Sequence, residues 1–289
     1  MLSHSSERSA CDSRTRLADL SIGLVEDLHA HVTHGRGPDE FCSSYQVCLP
    51  YRGLFVWHVE GEDVVGDANQ IVYVRAGEPY RMGGPAGGRY AELIITPTIE
   101  ILSELARTTE ATLFDHPLFS RRAVRACPQL QALRAAYRHM LTARAEHDAL
   151  AAEELTLDLL RATLHTNGHR SASNAVATTR LVRRTKEFLA ENLSNRLRLA
   201  DIARGVGASP AYLTDLFTRV EGVSLHRYLT QLRLARALDE LPAVTDLTTV
   251  ALDSGFSSHS HFTFAFRQSF GCTPSQFRAT ARKAAIKRF

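Results

Sequence analysis

The 289-residue chain has only three lysines, one tryptophan and three methionines, and it lacks any long uninterrupted apolar run. Without a run of about 20 apolar residues the sequence offers no membrane span. The first residues, MLSHSSERSACDSRTRL, are polar and basic and have no apolar core, unlike a secretory signal. The five cysteines are scattered and odd in number, which argues against a disulfide framework. These absences predict a cytoplasmic protein without a membrane partner.

Charge is unevenly distributed along the chain. Residues 179–289 contain 17 Lys and Arg against 9 Asp and Glu, a net charge of +8. Residues 1–178 contain 17 against 22, a net charge of −5, and all three lysines lie in the C-terminal part. A basic region favours a polyanionic partner such as a nucleic acid. A basic helix surface without any partner would give the same excess, so charge alone does not decide the function.

The texture of the sequence divides the chain into five regions. Residues 1–40 are polar without a sustained period and are predicted to form an N-terminal arm. Residues 41–96 hold short β-rich runs such as GLFVWHV, separated by GED, GEP and GGPAGG, which predicts a small antiparallel barrel or sandwich. Residues 97–167 place apolar residues at helical spacing and predict two long amphipathic helices. Residues 168–178 are predicted to be a linker, and residues 179–289 are helical again.

The last region contains an internal repeat, with copies at residues 199–228 and 247–277, and the motifs described next lie within them at residues 199–220 and 247–270. Ala203 and Gly207 match residues 48 positions later, Ala251 and Gly255. After one extra residue in the second copy the offset becomes 49, as in the pairs Leu213 and Phe262, Thr214 and Thr263, Phe217 and Phe266, Gly222 and Gly271, and Tyr228 and Phe277. An internal repeat indicates a duplicated structural unit.

The first copy has the pattern of a helix-turn-helix motif. A short apolar-faced helix precedes Gly207, which can end that helix in the left-handed conformation without a Cβ clash. Ser209 can cap the next helix, and Pro210 suits its first turn. The recognition helix is therefore predicted at Pro210–Arg219.

The second copy has the same pattern of turn, core and capping residues. Gly255 makes the turn, Phe256 fills the core, and Ser257 or Ser258 caps a recognition helix predicted at His259–Ser269. A single pattern of this kind also occurs in helical hairpins of no function. Two copies in fixed register on a basic region point to DNA binding.

The segment between the copies is predicted to be a connecting helix. Ser224 can cap a helix that continues to about Glu240 and spans about 25 Å at 1.5 Å per residue. Successive major-groove faces lie about 34 Å apart on one side of B-DNA. Such a helix, with the width of each motif added, can hold two DNA-reading units, the first and second heads, one helical turn of DNA apart. Further on, the sequence Thr273-Pro274-Ser275-Gln276 predicts a capping box.

At this point the sequence resembles the AraC/XylS family of transcription regulators. The resemblance rests on LADIARGVGASPAYLTDLFTRVEGVSLHRYLTQLRLARAL and ALDSGFSSHSHFTFAFRQSFGCTPSQFR, within residues 180–282. It implies a seven-helix DNA-binding domain and a sequence-specific, effector-responsive activator. More loosely, GEPYRM and the Gly-rich stretch after it resemble the family's cupin-like sensing domain. The implied fold class is α+β, with a cupin-like β-barrel and dimerisation helices at 97–167, then an all-α domain with two helix-turn-helix motifs.

The residues predicted to face DNA lie on the outward sides of the two recognition helices and at their capped starts. They are Ser209, Pro210, Ala211, Thr214, Asp215, Thr218 and Arg219 in the first copy, and Ser258, His259, Ser260, Thr263, Phe264, Arg267 and Gln268 in the second. Arg, Gln and Thr side chains can contact base edges, and helix N-termini can bind phosphate.

Two of these positions depart from the polar or basic residues usual in the family. Asp215 can accept a bond from a cytosine amino group, or it pairs with Arg219 at i+4, which we favour. Phe264 contacts thymine methyl groups or packs against a neighbouring domain. Other basic residues are either phosphate contacts or solvated surface charges; they are Arg183, Arg184, Lys186, Arg196 and Arg198.

The β-rich segment is predicted to hold the effector, although no arrangement in it is specific. Its polar and aromatic candidates are Tyr51, Arg52, Trp57, His58, Tyr73, Arg75, Tyr80 and Arg81. Possible metal ligands are His29, His31, His34, Cys42, Cys48 and His58. The two-His-plus-Glu spacing of cupin metal enzymes is not apparent, so neither a metal nor another cofactor is predicted. Cys42 and Cys48 leave a redox or soft-metal sensor open.

Three function classes compete. A metal-dependent enzyme fused to a DNA-binding domain would need a catalytic constellation, and the sequence shows none. A DNA-architectural protein would not need an acidic folded N-terminal domain. An effector-responsive transcription regulator accounts for both parts. It predicts double-stranded promoter DNA, RNA polymerase, a small-molecule effector and a second copy of the chain as partners. Residues 128–166 would form the homodimer, and effector binding would change the placement of the DNA-binding domains.

Overall fold

A computed structural model of the protein describes residues 11–32, 35–84, 88–108, 119, 121–143, 148–164 and 176–286. The chain forms two compact units. The first unit contains residues 1–124 and 147–165, and the second contains residues 125–146 and 166–289. Residues 165–175, which include most of the predicted linker, lie outside the described residues, and a helix begins at Val176.

The described part of the chain contains ten strands. They are β1 (Cys11–Leu20), β2 (Gly23–His31), β3 (Gly35–Phe41), β4 (Gln46–Arg52), β5 (Leu54–Val59), β6 (Glu62–Asp67), β7 (Gln70–Val74), β8 (Pro79–Gly84), β9 (Arg89–Pro97) and β10 (Ala123–Arg125). A six-stranded sheet has the order β1-β2-β9-β4-β7-β10, and a four-stranded sheet has the order β3-β8-β5-β6. Neighbouring strands pair antiparallel, as in β2 with β9 and β5 with β6.

The two sheets form a sandwich and are not closed into a barrel. Leu28 and Ile94 from the larger sheet and Phe55 and Trp57 from the smaller one share a single buried core. Helix α3 (Ala149–Leu164) packs on the first unit as well, where Tyr73 donates to the Thr163 carbonyl over 3.2 Å. The α+β class and the β-rich N-terminal domain are confirmed, whereas the predicted barrel is corrected to two facing sheets.

The predicted N-terminal arm also differs from the structure, because β1, β2 and most of β3 lie within residues 1–40. Strand β2 is buried along most of its length, including its two acidic residues. Glu26 accepts a hydrogen bond from Arg14 at 2.8 Å, and Asp27 accepts one from Tyr51 at 2.7 Å. Buried carboxylates with partners elsewhere in the sheet interrupt the alternation by which a strand is recognised.

The helices beyond the sandwich follow the predicted pattern except in residues 97–167, where the sequence predicts two long helices and the described residues contain three. The additional one is helix α1 (Ile99–Thr108), which comes directly after β9. In the second unit lie α2 (Pro128–Thr142), α4 (Val176–Glu191), α5 (Leu199–Val206), α6 (Pro210–Glu221), α7 (Leu225–Glu240), α8 (Leu247–Asp253), α9 (His259–Phe270) and α10 (Pro274–Ile286). The C-terminal part of the described chain thus has seven helices, α4 to α10, as the family resemblance implies.

Helix α2 packs within the second unit. Its Ala135 belongs to the same buried core as Leu238 of α7 and as Phe262 and Phe266 of α9. The division of the chain into units therefore passes through the predicted helical region 97–167, because α2 belongs to the second unit and α3 to the first.

Candidate nucleic-acid interface and effector cavity

Helices α5 and α6 form the first helix-turn-helix motif. Gly207 ends α5 with φ 68° and ψ 43°, the left-handed conformation that the sequence predicts for it. The Ser209 hydroxyl caps α6 by accepting a hydrogen bond from the Tyr212 amide at 3.3 Å. Leu213 and Phe217 are buried beneath α6, so the opposite side of that helix faces outward. The predicted turn, cap and start of the first recognition helix are confirmed.

Helices α8 and α9 repeat this arrangement. Gly255 has φ 89°, and a Cβ at this position would lie 2.3 Å from the Leu193 carbonyl oxygen, so both the conformation and the crowding require glycine. Phe256 is buried in the core, as predicted. Ser258 caps α9, because its hydroxyl accepts from the His261 amide at 3.1 Å, while Ser257 contacts the His261 ring instead.

Helix α7 connects the two motifs as a single element of 16 residues. Ser224 caps it, as predicted, by accepting from the Arg227 amide at 3.3 Å. Tyr228 of α7 packs edge-on against Phe217 of α6, with ring centroids 5.2 Å apart. Leu234 of α7 lies in the core of the second motif, so both recognition helices are anchored on the same rigid helix.

The structure brings the predicted DNA-facing residues to the solvent side of each recognition helix. Twelve of the fourteen are exposed, and the other two, Thr214 and Thr263, are half-buried. These two residues occupy equivalent positions in the repeat. The Thr214 hydroxyl donates back to the carbonyls of Pro210 and Ala211, 3.0 Å from each, so its proton is engaged within the helix.

The two recognition helices differ in the charge that they present. On α6, Asp215 forms an ion pair with Arg219, one turn later on the exposed surface. On α9, Arg267 is exposed and makes no ion pair with any described residue. Phe264 takes the place equivalent to Asp215 and is 68% exposed. The second head therefore presents an uncompensated guanidinium and an apolar ring, and the first presents a neutralised pair.

Among the outlying basic residues, Lys186 does not face solvent. It is buried, its Nζ lies 2.8 Å from a Glu221 carboxylate oxygen, and it lies 5.4 Å from the Tyr228 ring centroid. Both contacts hold α4 against α6 and α7, so its role as a phosphate contact is not supported. Arg184, Arg196 and Arg198 are exposed.

A cavity of about 40 Å³ lies between the two sheets of the first unit and is open on one side. Most of its lining is apolar or aromatic, and its polar residues come from both sheets. These are His31, Glu40, Gln46, Cys48, Trp57, Tyr80, Tyr90 and Glu92.

Only Trp57 and Tyr80 of the eight predicted effector residues line this cavity. Tyr51 and Tyr73 are buried on the other face of the larger sheet. Tyr51 bonds to Asp27, and Tyr73 bonds to α3, where burial raises the pKa of its hydroxyl. Side chains alternate between the two faces of a strand. Effector residues selected by residue type alone therefore come from both faces of the sheet.

Of the other four predicted effector residues, His58 and Arg81 are paired neighbours in β5 and β8, Arg52 ends β4 and Arg75 follows β7. Arg52 is exposed, and His58 is bonded to Asp63 at 2.5 Å. Arg75 donates to the Phe119 carbonyl at 2.7 Å, and Arg81 is paired with Asp39 at 2.6 Å. Glu92, which the sequence analysis did not select, lines the cavity from the middle of β9. A glutamate inside the run RYAELIIT would ordinarily indicate a solvent-facing position, and no sequence signal distinguishes it.

Thiols and histidines do not form a metal centre among the described residues. Cys42 and Cys48 are both buried and neither forms a disulfide with a described residue, and Cys42 contacts Gln46 and Tyr80, each at 3.4 Å. No group of three or more His, Cys, Asp or Glu within the described ranges is placed to hold a metal ion. His34 lies outside the described residues.

Comparison with known families identifies the chain. Residues 4–167 match the model of an AraC-binding-like domain, and residues 202–280 match the model of a helix-turn-helix domain. The chain belongs to the AraC/XylS family of transcription regulators. As an AraC/XylS regulator it binds DNA through the helix-turn-helix unit described above. None of the described helices is long and apolar enough to cross a membrane.

Known AraC/XylS relatives align with different shares of the chain. The thermoregulatory protein LcrF of Yersinia pestis is 27% identical over 248 residues, which cover 79% of this chain and 87% of LcrF. The virulence regulon transcriptional activator VirF of Yersinia enterocolitica is 35% identical over 98 residues, covering 34% of this chain and 36% of VirF. A solved transcriptional regulator with an AraC-type DNA-binding domain, from Chromobacterium violaceum, is 30% identical and has a TM-score of 0.34; the match covers 37% of this chain and 96% of that chain.

Proposed function

We propose that this regulator activates transcription by reading promoter DNA with α6 and α9, under the control of a small-molecule effector bound between the two sheets. The observation that carries the proposal is the matched exposure of the two recognition helices. Each is capped by a serine, Ser209 or Ser258, and each buries its apolar side against the common helix α7. The function that we propose is that of a regulator and not of an enzyme.

Base reading is assigned chiefly to α9. The exposed Arg267 can form two hydrogen bonds to guanine, and Gln268 can bond adenine or phosphate. Phe264 offers an apolar surface to thymine methyl groups. His259, Ser260 and Thr263 complete that side of the helix. On α6, the neutralised Arg219 leaves Ala211, Thr214 and Thr218 as weaker readers, so the first head contributes more to positioning than to specificity.

Phosphate binding is assigned to the starts of α6 and α9. The first backbone N–H groups of a helix point outward, and the helix dipole is positive at this end. Pro210 opens α6, and the exposed serines 209 and 258 bring hydroxyl groups to the same places. One phosphate bound at the start of each helix would fix the register of the protein on the duplex.

The remaining partners are a second copy of the chain and RNA polymerase. The buried face of α2 is already used within the second unit, so we assign the homodimer to the outward face of α3, where Leu150 is 63% exposed. Activation is supported by the name of VirF, a transcriptional activator, and RNA polymerase is the partner that we assign to it. An effector that prefers one arrangement of the two units would shift the population toward it.

Binding to DNA selected from a random library tests the reading heads. We expect Arg267→Ala to weaken binding to the selected site by about 1–3 kcal/mol and to relax specificity at one base pair. Thr214→Ala should have a smaller effect, because its hydroxyl proton is engaged within the helix. Arg16→Ala, which removes an exposed arginine from the first unit, is the control. If both recognition-helix variants bind the selected site as tightly as the control does, the assignment fails.

A further inference from the structure

The cavity between the two sheets has an aromatic lining. Phe55, Trp57, Tyr80 and Tyr90 all line it, and all four are buried. The rings of Trp57 and Tyr80 meet edge to face with centroids 5.6 Å apart, and those of Phe55 and Tyr90 lie 4.8 Å apart. The faces of aromatic rings carry partial negative charge and attract organic cations.

The charged side chains of the lining all have the same sign. Glu92, which is 3% exposed, and the half-buried Glu40 are its carboxyl groups, and no described lining residue is Lys or Arg. Arg122 is not a lining residue, but its guanidinium lies over the Trp57 ring, 5.8 Å from the centroid, and is paired with Glu60 and Glu78. Carboxylates in apolar surroundings favour a cation beside them and repel an anion.

Trp57 adds a hydrogen-bond donor to this lining. Its Nε1 is buried and has no acceptor among the described residues. A buried donor without an acceptor is unfavourable, and most such groups in folded proteins are satisfied by protein or by water. A ligand that places an oxygen next to Nε1 would satisfy it.

We propose that the effector is a compact organic cation that carries apolar groups and a hydrogen-bond acceptor. The aromatic rings of Trp57 and Tyr80 and the carboxyl group of Glu92 hold the cation, and the Trp57 Nε1 donates to the acceptor. The same carboxyl groups would repel carboxylic acids and phosphorylated sugars. This inference rests on the proposed function, because it specifies the effector that the cavity binds.

Three probes of nearly equal shape distinguish the effect of ligand charge from the effect of ligand shape. Choline is positive, neohexanol (3,3-dimethyl-1-butanol) is its uncharged carbon analogue, and tert-butylacetate (3,3-dimethylbutanoate) is the corresponding anion at neutral pH. Trp57 is the only tryptophan in the chain and lines the cavity, so its fluorescence in the full-length protein reports occupancy directly. Each probe is titrated against the intact protein under the same conditions.

We expect choline to change the Trp57 emission and to bind at least about tenfold more tightly than neohexanol, with no response to tert-butylacetate. Glu92→Gln should weaken choline binding by about tenfold and leave neohexanol binding unchanged, since it removes charge and keeps shape. If the Glu92 variant does not fold, choline binding by Glu40→Gln, at the half-buried glutamate, tests the same charge effect. Glu62→Gln, an exposed glutamate of β6, is the matched control.

The inference is overturned if the neutral or the anionic probe binds as tightly as choline, or if no probe changes the Trp57 emission. It is also overturned if folded Glu92→Gln and Glu40→Gln both bind choline as the Glu62 control does. DNA binding by the same preparations is measured separately. Intact DNA binding without cation selectivity removes only this inference, whereas loss of DNA binding in the wild-type protein removes the proposed function.

Discussion

Arg134 of α2 and Asp239 of α7 form an ion pair inside the second unit, with Nη2 2.8 Å from Oδ2 and side chains only 3% and 9% exposed. Arg138, one turn later on α2, lies 3.7 Å from the other carboxylate oxygen. The carboxylate belongs to the helix that connects the two helix-turn-helix motifs, and its cations come from a segment about a hundred residues earlier. Helix α2 is therefore part of the DNA-binding unit in physical terms.

Removing the cation from this pair should destabilise the second unit. We expect Arg134→Met to lower the free energy of unfolding by about 3 kcal/mol, the lower end of the range for breaking a buried pair, because Arg138 remains near Asp239. Urea unfolding followed by far-ultraviolet circular dichroism measures the change. Replacing both partners with apolar residues, Arg134→Met with Asp239→Leu, should recover part of the loss, since Asp239 is then no longer a buried charge without Arg134, although Arg138 loses its contact with Asp239.

An exposed ion pair provides the control for this experiment. Arg161 and Asp158 of α3 lie 3.7 Å apart with side chains 55% and 60% exposed. We expect Arg161→Ala to cost less than about 1 kcal/mol. If Arg134→Met is no more harmful than Arg161→Ala, the buried pair does not hold α2 in the second unit.

His139 of α2 makes the stability of the same unit sensitive to pH. Burial lowers its pKa from the usual value of about 6.5, and its Nε2 lies 3.2 Å from the Leu238 carbonyl oxygen. The unfolded chain therefore binds a proton more readily than the folded one. The stability due to neutral His139 is present above about pH 6.5 and is lost as the pH falls toward the lowered pKa.

Urea midpoints measured from about pH 7.5 to about pH 5.5 test this dependence. The midpoint should fall with pH in the wild-type protein and fall less in His139→Gln, which keeps a donor for the Leu238 carbonyl but does not titrate. His226→Gln, at an exposed position on α7, should behave as the wild type does. Equal slopes for wild type and His139→Gln would show that this histidine does not couple stability to pH.

The elements that could be predicted from the sequence are those fixed by local chemistry. Gly207 and Gly255 adopt the left-handed turns predicted for them, and Ser209, Ser224 and Ser258 cap the helices that follow. The Thr273 and Gln276 capping box also forms, with a bond from the Thr273 amide to the Gln276 side chain at 2.9 Å. Each of these features depends on residues within a few positions of one another, so spacing is sufficient to find them.

The features that could not be predicted depend on distant partners. Strand β2 is buried with its acidic residues because Arg14 and Tyr51 satisfy them, and the sequence around Glu26 shows neither. On α2, Arg134 is buried beside Asp239, a partner about a hundred residues later that the local sequence does not show. The position of Glu92 in the cavity also depends on distant residues, because the cavity forms only where the two sheets face each other.

The ion pair between Asp215 and Arg219 leads to a final prediction: the Asp215 carboxylate lowers the affinity of the first head for DNA. Asp215→Asn should free the guanidinium for phosphate, so affinity for DNA of any sequence rises and the plot of log affinity against log salt steepens by about one unit. Fluorescence anisotropy at several salt concentrations measures both effects. Asp19→Asn, which breaks the similar exposed pair with Arg16 in the first unit, should change neither. A loss of affinity confined to sites with one particular cytosine would instead show that Asp215 reads that base.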